Sequence, residues 1–152
     1  MAVKAIPDGY HSVTPYLIVR GAAQALEFYT KAFGAIETVR MDGPGGTVAH
    51  AEFRIGDSMV MIADENRANN AEGPEILGGS PVHLMIYVDD CDAMFKRALG
   101  LGATETRPLT DQFYGDRSGS LTDPFGHCWT IATHTEDVSP EEMERRMKGQ
   151  DG

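Results

Sequence analysis

The sequence predicts an α+β fold that is built from two βαβββ halves. Two observations predict it: the same order of strand and helix patterns occurs twice, and glycine-containing breaks fall at matching places in both copies. The halves cover about residues 11–64 and 81–134, a connector covers 65–80, and a peripheral C-terminal helix is expected over 139–148. The length suits one domain, so we expect residues 1–152 to form a single, internally duplicated domain.

The first half opens with a β-branched and aromatic run at 12–19, which predicts a strand. Apolar residues then recur at helical spacing over 22–33, and Gly34 stands where a C-terminal cap glycine would. Three short strands should follow, because β-rich segments are separated by Gly-Pro-Gly-Gly and by Gly-Asp, which are turn sequences. These strands are predicted at 36–41, 47–55 and 58–63.

The second half repeats this order. A strand is predicted at 81–88, and a helix follows over 91–101, for which Asp90 is a suitable N-cap. A Gly-Ala pair ends this helix as it ends the first one. Ser139 begins a capping box, Ser-Pro-Glu-Glu, that opens the C-terminal helix. The remaining strands are predicted at 103–107, 119–122 and 127–133.

The composition limits the partners and the compartment. The net charge is -10 and lysine and arginine do not cluster, so we expect neither nucleic acid nor an anionic membrane as a partner. No segment approaches the roughly eighteen continuous apolar residues that a membrane span needs. Cys91 and Cys128 form no CxxC pair, which fits a reducing compartment. We therefore expect a cytoplasmic protein with free thiols.

Several local motifs agree with one known family. They are Leu17–Val19, the run Ala25–Tyr29 with the following Ala-Phe-Gly, the segment His50–Glu52 before a Gly-Asp turn, and above all Gln112–Trp129 with its Thr-Asp-Pro-Phe-Gly-His-Cys-Trp end. In these features the chain resembles the vicinal oxygen chelate superfamily of glyoxalase-like, bleomycin-resistance-like and dioxygenase proteins, and in particular its PhnB-like branch. The resemblance extends from about His11 to His134.

The resemblance implies curved mixed sheets around a small-molecule cleft, with helices on the outer faces and a homodimer as the assembly. Strand alternation then selects faces: if Leu17 and Val19 pack on the helices, Tyr16 points into the cleft. Arg117 could bind an anionic substrate or pair with the strand ends, and the single tryptophan could line the cleft or lie in the core. The expected cleft residues are Thr14, Tyr16, Met61, His83, Met85, Tyr87, Tyr114, Arg117 and Trp129.

Metal-dependent relatives such as glyoxalase I hold a divalent ion at four strand positions, which the resemblance maps to Thr14, Met61, His83 and Thr130. Only the histidine among these is a good ligand, so we expect no inherited metal centre and no other cofactor. The alternative is a rebuilt divalent-metal site of His50, Glu52 and His83. His50 and Glu52 lie two apart on one strand, a spacing that is more often that of a solvated surface pair.

Three functions remain open. The first is a binding module that holds a small, partly apolar organic molecule without transforming it, as sequestration or resistance-type proteins do; the net acidity favours a cationic ligand. The second is a metal-dependent lyase, isomerase or dioxygenase of glyoxalase type, with His83 as metal ligand or general base. The third is a structural dimer with a vestigial cleft. A fold alone does not decide between them.

Overall fold

A computed structural model describes residues 2–150 and confirms the α+β class with two βαβββ modules. The chain divides into two compact units. Unit 1 comprises Met1–Pro81 and Pro124–His127, and unit 2 comprises Val82–Asp123 and Cys128–Gly152. Among the described residues no helix is long and apolar enough to cross a membrane.

Each unit contains one four-stranded mixed sheet of the same topology. In unit 1 the elements are β1 (Tyr16–Val19), α1 (Ala22–Phe33), β2 (Ile36–Asp42), β3 (Val48–Ile55), β4 (Ser58–Asp64) and the short α2 (Pro74–Leu77). The strand order is β1-β4-β3-β2, in which β1 runs parallel to β4 and the other pairs are antiparallel.

Unit 2 repeats this arrangement with the strand order β5-β8-β7-β6 and a parallel β5–β8 pair. Its elements are β5 (His83–Tyr87), α3 (Cys91–Gly100), β6 (Thr104–Asp111), β7 (Asp116–Thr122), β8 (Cys128–His134) and α4 (Pro140–Gln150). The backbone N–H of Glu142 donates to Ser139 Oγ at 3.1 Å, which is the predicted N-terminal cap of the last helix.

Strands β6 and β7 are longer than the predicted strands at 103–107 and 119–122. Pro108 is tolerated in β6 because this edge strand pairs only with β7 and needs no donor on its open side. The polar start of β7 stays in the sheet because Asp116 pairs with His134 on β8. Hydrogen bonding across both edges of β7 therefore extends the sheet into a segment whose sequence is typical of a loop.

Alternation along β1 and β5 decides which side chains face the helices, as predicted. Leu17 and Val19 are buried, whereas Tyr16 is 48% exposed. In β5 Ile86 is buried and its neighbours Met85 and Tyr87 are exposed. Each sheet therefore has one face that packs on its helix and one that carries exposed or half-buried side chains.

The turn Pro124–His127 belongs to unit 1, although it joins β7 and β8 in the chain. The Phe125 ring lies edge-on to Phe28, with centroids 6.4 Å apart, and 6.5 Å from the ring of Tyr29. His127 Nε2 lies 3.0 Å from the backbone oxygen of Ile18. Apolar packing at Phe125 and a polar contact at His127 thus fix this turn beside β1 and α1.

The carboxylate of Asp64 fixes the beginning of α1. Its Oδ1 accepts hydrogen bonds from the backbone N–H groups of Gly21 (2.8 Å) and Ala22 (3.0 Å), and its Oδ2 accepts one from the N–H of Val48 (2.7 Å). The N-cap residue, Gly21, has no side chain and adopts a left-handed conformation with φ 93°. A carboxylate on β4 therefore supplies the cap that the helix lacks, where the helix dipole favours negative charge.

We expect Asp64→Ala to lower the free energy of unfolding by about 2–4 kcal/mol, because three backbone donors lose a charged acceptor. Urea unfolding followed by circular dichroism measures this change. Asp89→Ala, at an exposed position between β5 and α3, is the control and should stay within about 0.5 kcal/mol of the wild type. Equal stability of the two variants would contradict the capping role.

Candidate functional site

A cavity of about 730 Å³ lies within unit 1. Its lining residues come from β1, the end of β4, the β2–β3 turn, the start of β3 and the segment after β4. Its volume falls in the range of about 300–1,000 Å³ that is typical of small-molecule sites. The lining residues are Tyr16, Ile18, Gly43, Pro44, Thr47, Val48, Ala49, Ala63, Asp64, Glu65, Asn66, Asn69, Asn70 and Ala71.

A chain of hydrogen bonds supports Tyr16 at the edge of this cavity. The Tyr16 hydroxyl lies 2.7 Å from His50 Nδ1, and His50 Nε2 lies 2.7 Å from Glu52 Oε2. The hydroxyl of Tyr10 donates to the other oxygen of Glu52. His50 and Glu52 share a face of β3 because they are two residues apart. The sheet register brings them to Tyr16, since Met61 on β4 is the partner of both Tyr16 and Glu52.

Burial and the carboxylate of Glu52 together determine the ionisation of these hydrogen-bonded side chains. Hydrogen bonds from Tyr10 and then from His50 hold the pKa of Glu52 below its ordinary value. Burial, together with the bond to Glu52, raises the pKa of Tyr10 to about 12. Burial and the charge of Glu52 also raise the pKa of Tyr16. At neutral pH both phenols are therefore protonated while Glu52 is ionised.

The orientation of His50 follows from the charge of Glu52. A carboxylate only accepts hydrogen bonds, so His50 must donate from Nε2. In a neutral imidazole the other nitrogen is then an acceptor. When the imidazole is neutral, the proton of the Tyr16 hydroxyl points to His50 Nδ1, and the lone pairs of the phenol oxygen stay available to a molecule in the cavity.

Glu65 is the second polar group with unused hydrogen-bonding capacity. Its Oε2 pairs with Arg20 Nε at 3.1 Å, and Arg20 also pairs with Glu75 through Nη1 at 2.7 Å. Its Oε1 is buried and has no hydrogen-bond partner in the described part of the chain. Because an unpaired buried oxygen costs free energy, this oxygen is a place where a ligand donor would be stabilised.

The predicted cleft residues of unit 2 fall into two groups. His83, Met85 and Tyr87 share one face of the sheet, and all three side chains are exposed. The Tyr87 hydroxyl donates to Asp116 Oδ2 at 2.7 Å, and His134 Nδ1 lies 2.8 Å from Asp116 Oδ1. Asp116 and His134 are not among the predicted cleft residues, although Asp116 continues the polar alternation of Ser118 and Ser120 along β7 and pairs with His134 across the sheet.

Arg117 and Trp129 lie on the opposite face of the unit 2 sheet, because they alternate with Asp116 and with Cys128 along their strands. Trp129 is 2% exposed and its Nε1 donates to Asp123 Oδ2 at 2.8 Å, which is the core placement that the sequence left open. Arg117 pairs with Asp92 at 2.7 Å and Asp111 at 3.4 Å. The structure therefore does not bring these two residues together with His83, Met85 and Tyr87.

The three remaining predicted cleft residues are half-buried. Met61 is the cross-strand partner of Tyr16 and shares its face of the unit 1 sheet. Thr14 precedes β1 in the same unit. Tyr114 lies in the turn before β7 in unit 2, where its ring meets that of Phe113 edge-on at 5.2 Å. Of the nine predicted residues, Tyr16 alone is a lining residue of the unit 1 cavity.

The residues at the four inherited metal positions do not fit a divalent metal. Met61 offers a thioether, and the Thr130 hydroxyl is hydrogen-bonded to Ser120 Oγ at 2.8 Å. Within residues 2–150 no group of three or more histidine, cysteine, aspartate or glutamate side chains is arranged to hold an ion. For the alternative set, both nitrogens of His50 are already hydrogen-bonded, to Tyr16 and Glu52.

The Asp116–His134 pair generates a pH-dependent prediction. Hydrogen bonds with Asp137 and then Asp116 raise the pKa of His134 above its ordinary value of 6.5. The stabilisation is therefore fully present below about pH 6.5 and is lost as the pH rises through the folded-state pKa. An NMR titration of the His134 ring should give a pKa that is above 6.5 in the wild type and lower in Asp137→Asn. A wild-type pKa at or below 6.5 would contradict the contacts.

Comparison with known proteins gives the same fold and adds a family. The family model described as Glyoxalase/Bleomycin resistance protein/Dioxygenase superfamily matches residues 9–131. An uncharacterized protein of Mycobacterium bovis is 41% identical over 142 residues, which are 91% of this chain and 93% of that protein.

Three solved structures are also similar. TioX from Micromonospora sp. ML1 shares 25% identity with a TM-score of 0.65, over 82% of this chain and 98% of TioX. The PhnB protein from Bacillus cereus has 22% identity and a TM-score of 0.63, over 81% and 99% of the two chains. The fosfomycin resistance protein FosX from Mesorhizobium loti has 24% identity and a TM-score of 0.58, over 82% and 92%. These likenesses show the fold, and the match over residues 9–131 shows that the chain belongs to the glyoxalase/bleomycin resistance protein/dioxygenase superfamily.

Proposed function

We propose that this protein binds a small organic molecule in the unit 1 cavity and does so without the metal centre of its metal-dependent relatives. The observation that carries the proposal is the cavity of about 730 Å³, which combines apolar walls with a few convergent polar groups. That combination is typical of small-molecule sites, in which apolar contacts supply affinity and the polar groups select orientation.

Preorganisation of Tyr16 supports this proposal. Its ring is 48% exposed, yet its hydroxyl is fixed by His50, which is in turn fixed by Glu52. A side chain that is already ordered loses little conformational freedom when a ligand arrives, so more of the contact energy appears as affinity. The hydrogen bonds that link Tyr10, Glu52, His50 and Tyr16 therefore hold the Tyr16 side chain in place before a ligand binds.

The metal-dependent alternative has less support from the same residues. If His50 and Glu52 ligated an ion with His83, the imidazole would have to give up either Tyr16 or Glu52. That exchange would leave a partly buried polar group unpaired. Sequestration needs no such rearrangement of His50.

A screen of a fragment library by NMR of the ¹⁵N-labelled protein tests the binding role. We expect hits that compete for one site and shift the amide signals of residues 63–71. Tyr16→Ala should weaken these hits about tenfold or more, because it removes both an aromatic wall and a polar contact. Tyr87→Ala removes an exposed tyrosine of unit 2 and is the matched control, with unchanged affinity. Hits that bind Tyr16→Ala as tightly as wild type, without shifting these amides, would refute the site.

Elemental analysis of protein purified without added metal tests the absence of a metal centre. We expect less than stoichiometric zinc, nickel, manganese and iron, because the four inherited positions offer one imidazole only. Titration with these ions should not distinguish the wild type from His83→Ala. Stoichiometric metal that disappears in His83→Ala would instead support the enzyme with a rebuilt ligand set.

A further inference from the structure

Resting on the proposed function, we infer that the unit 1 cavity takes an organic cation, a molecule whose protonated amine donates hydrogen bonds to Tyr16 and Glu65. The inference rests on the direction of the hydrogen bonds around the cavity, on one unpaired carboxylate oxygen and on the charges of the lining residues.

The hydroxyl groups that line the cavity already donate hydrogen bonds within the protein. Tyr16 donates to His50 Nδ1 at 2.7 Å when the neutral imidazole donates its Nε2 proton to Glu52. Thr47 Oγ1 donates to the backbone oxygen of Pro44 at 2.7 Å. Each hydroxyl oxygen can then only accept a hydrogen bond from a ligand. A ligand that matches these groups must be a donor.

Glu65 adds an acceptor that is charged. Its Oε1 is buried without a hydrogen-bond partner, while its Oε2 shares Arg20 with Glu75. One guanidinium cannot neutralise two carboxylates, so this group of three side chains carries a net negative charge. A protonated amine would satisfy Oε1 with a charge-assisted hydrogen bond, which is stronger than a bond to a neutral donor.

The charges of the lining residues point the same way. Among the described residues that line the cavity, two are carboxylates, Asp64 and Glu65, and none is lysine, arginine or histidine. The net charge of -10 on the whole chain adds a long-range attraction for cations. The exposed ring of Tyr16 can also accept a cation on its face. An anionic ligand would be repelled by the two carboxylates, by the net charge of the chain and by the face of the Tyr16 ring.

Three probes of matched shape test the inference: benzylamine hydrochloride, benzyl alcohol and sodium benzoate. Each is titrated into the ¹⁵N-labelled full-length protein at pH 7 and constant ionic strength, and amide shifts of residues 47–49 and 63–71 report on the cavity. We expect benzylammonium to bind about tenfold more tightly than the alcohol, as one charge-assisted contact allows, and benzoate not to bind. Calcium chloride, as a fourth arm, should not reproduce the benzylammonium shifts.

Two carboxamide variants give a matched comparison. Glu65→Gln and Glu75→Gln each remove one negative charge and one partner of Arg20, but only Glu65 lines the cavity. Glu65→Gln should weaken benzylammonium about tenfold and leave benzyl alcohol unchanged, whereas Glu75→Gln, which lowers the local charge but keeps Glu65 Oε1, should weaken benzylammonium by no more than about threefold. Tyr16→Phe, which keeps the ring and removes the phenol oxygen, should also weaken benzylammonium.

The outcomes separate this inference from the proposed function. If benzyl alcohol or benzoate binds in the cavity as tightly as benzylammonium, or if Glu65→Gln and Glu75→Gln behave alike, the cation preference is wrong and the binding role stands. Calcium shifts without benzylammonium shifts would assign the site to inorganic cations and also overturn the inference. If no fragment of any charge shifts the cavity amides, the proposed function itself fails.

Discussion

The hydrogen bonds of the Asp64 carboxylate are the constraint on which the unit 1 site depends. They join the end of β4 to the first turn of α1 and to Val48 at the start of β3, so three elements meet at one side chain. In unit 2 the helix has its own N-cap, Asp90, which accepts from the N–H of Ala93 at 3.0 Å. Thr133 Oγ1 adds a link to the last strand, since it accepts from the N–H of Cys91 at 2.9 Å and donates to the oxygen of Val88 at 2.8 Å. In both units a side chain of the last strand therefore joins that strand to the first turn of the helix.

Because Asp64 is hydrogen-bonded to the backbone, other residues of the cavity are the ones that can contact a ligand. Asp64 lines the cavity but both of its oxygens are used by the backbone, so it contributes charge without a free acceptor. Glu65, the next residue, keeps one oxygen unpaired, and Tyr16 keeps the lone pairs of its phenol. The residues that hold the cavity and the residues that offer contacts to its contents are therefore different, which allows the contacts to change without loss of the fold.

Sequence patterns predict most of this fold because helix periodicity, strand alternation and glycine breaks are local signals. They predict α1 and the exposure of Tyr16, and they place His50 and Glu52 on one face. The contribution of Tyr10 lies beyond such reasoning, since it precedes the first strand and reaches Glu52 only through the folded chain. The helix-side position of Trp129 was equally open, because alternation fixes which residues share a face but not which face packs on the helix.

The position of Glu52 bears on the proposed binding without a metal. Glu52 is the cross-strand partner of Met61, which occupies one of the four positions that the resemblance assigns to metal ligands. A carboxylate therefore stands one strand away from the inherited position, but Tyr10 and His50 occupy its oxygens. The charge of Glu52 is used within the protein, because its carboxylate accepts hydrogen bonds from Tyr10 and His50 and thereby orients the imidazole. With His50 oriented in this way, the Tyr16 hydroxyl donates to the imidazole, and its oxygen can accept a hydrogen bond from a molecule in the cavity.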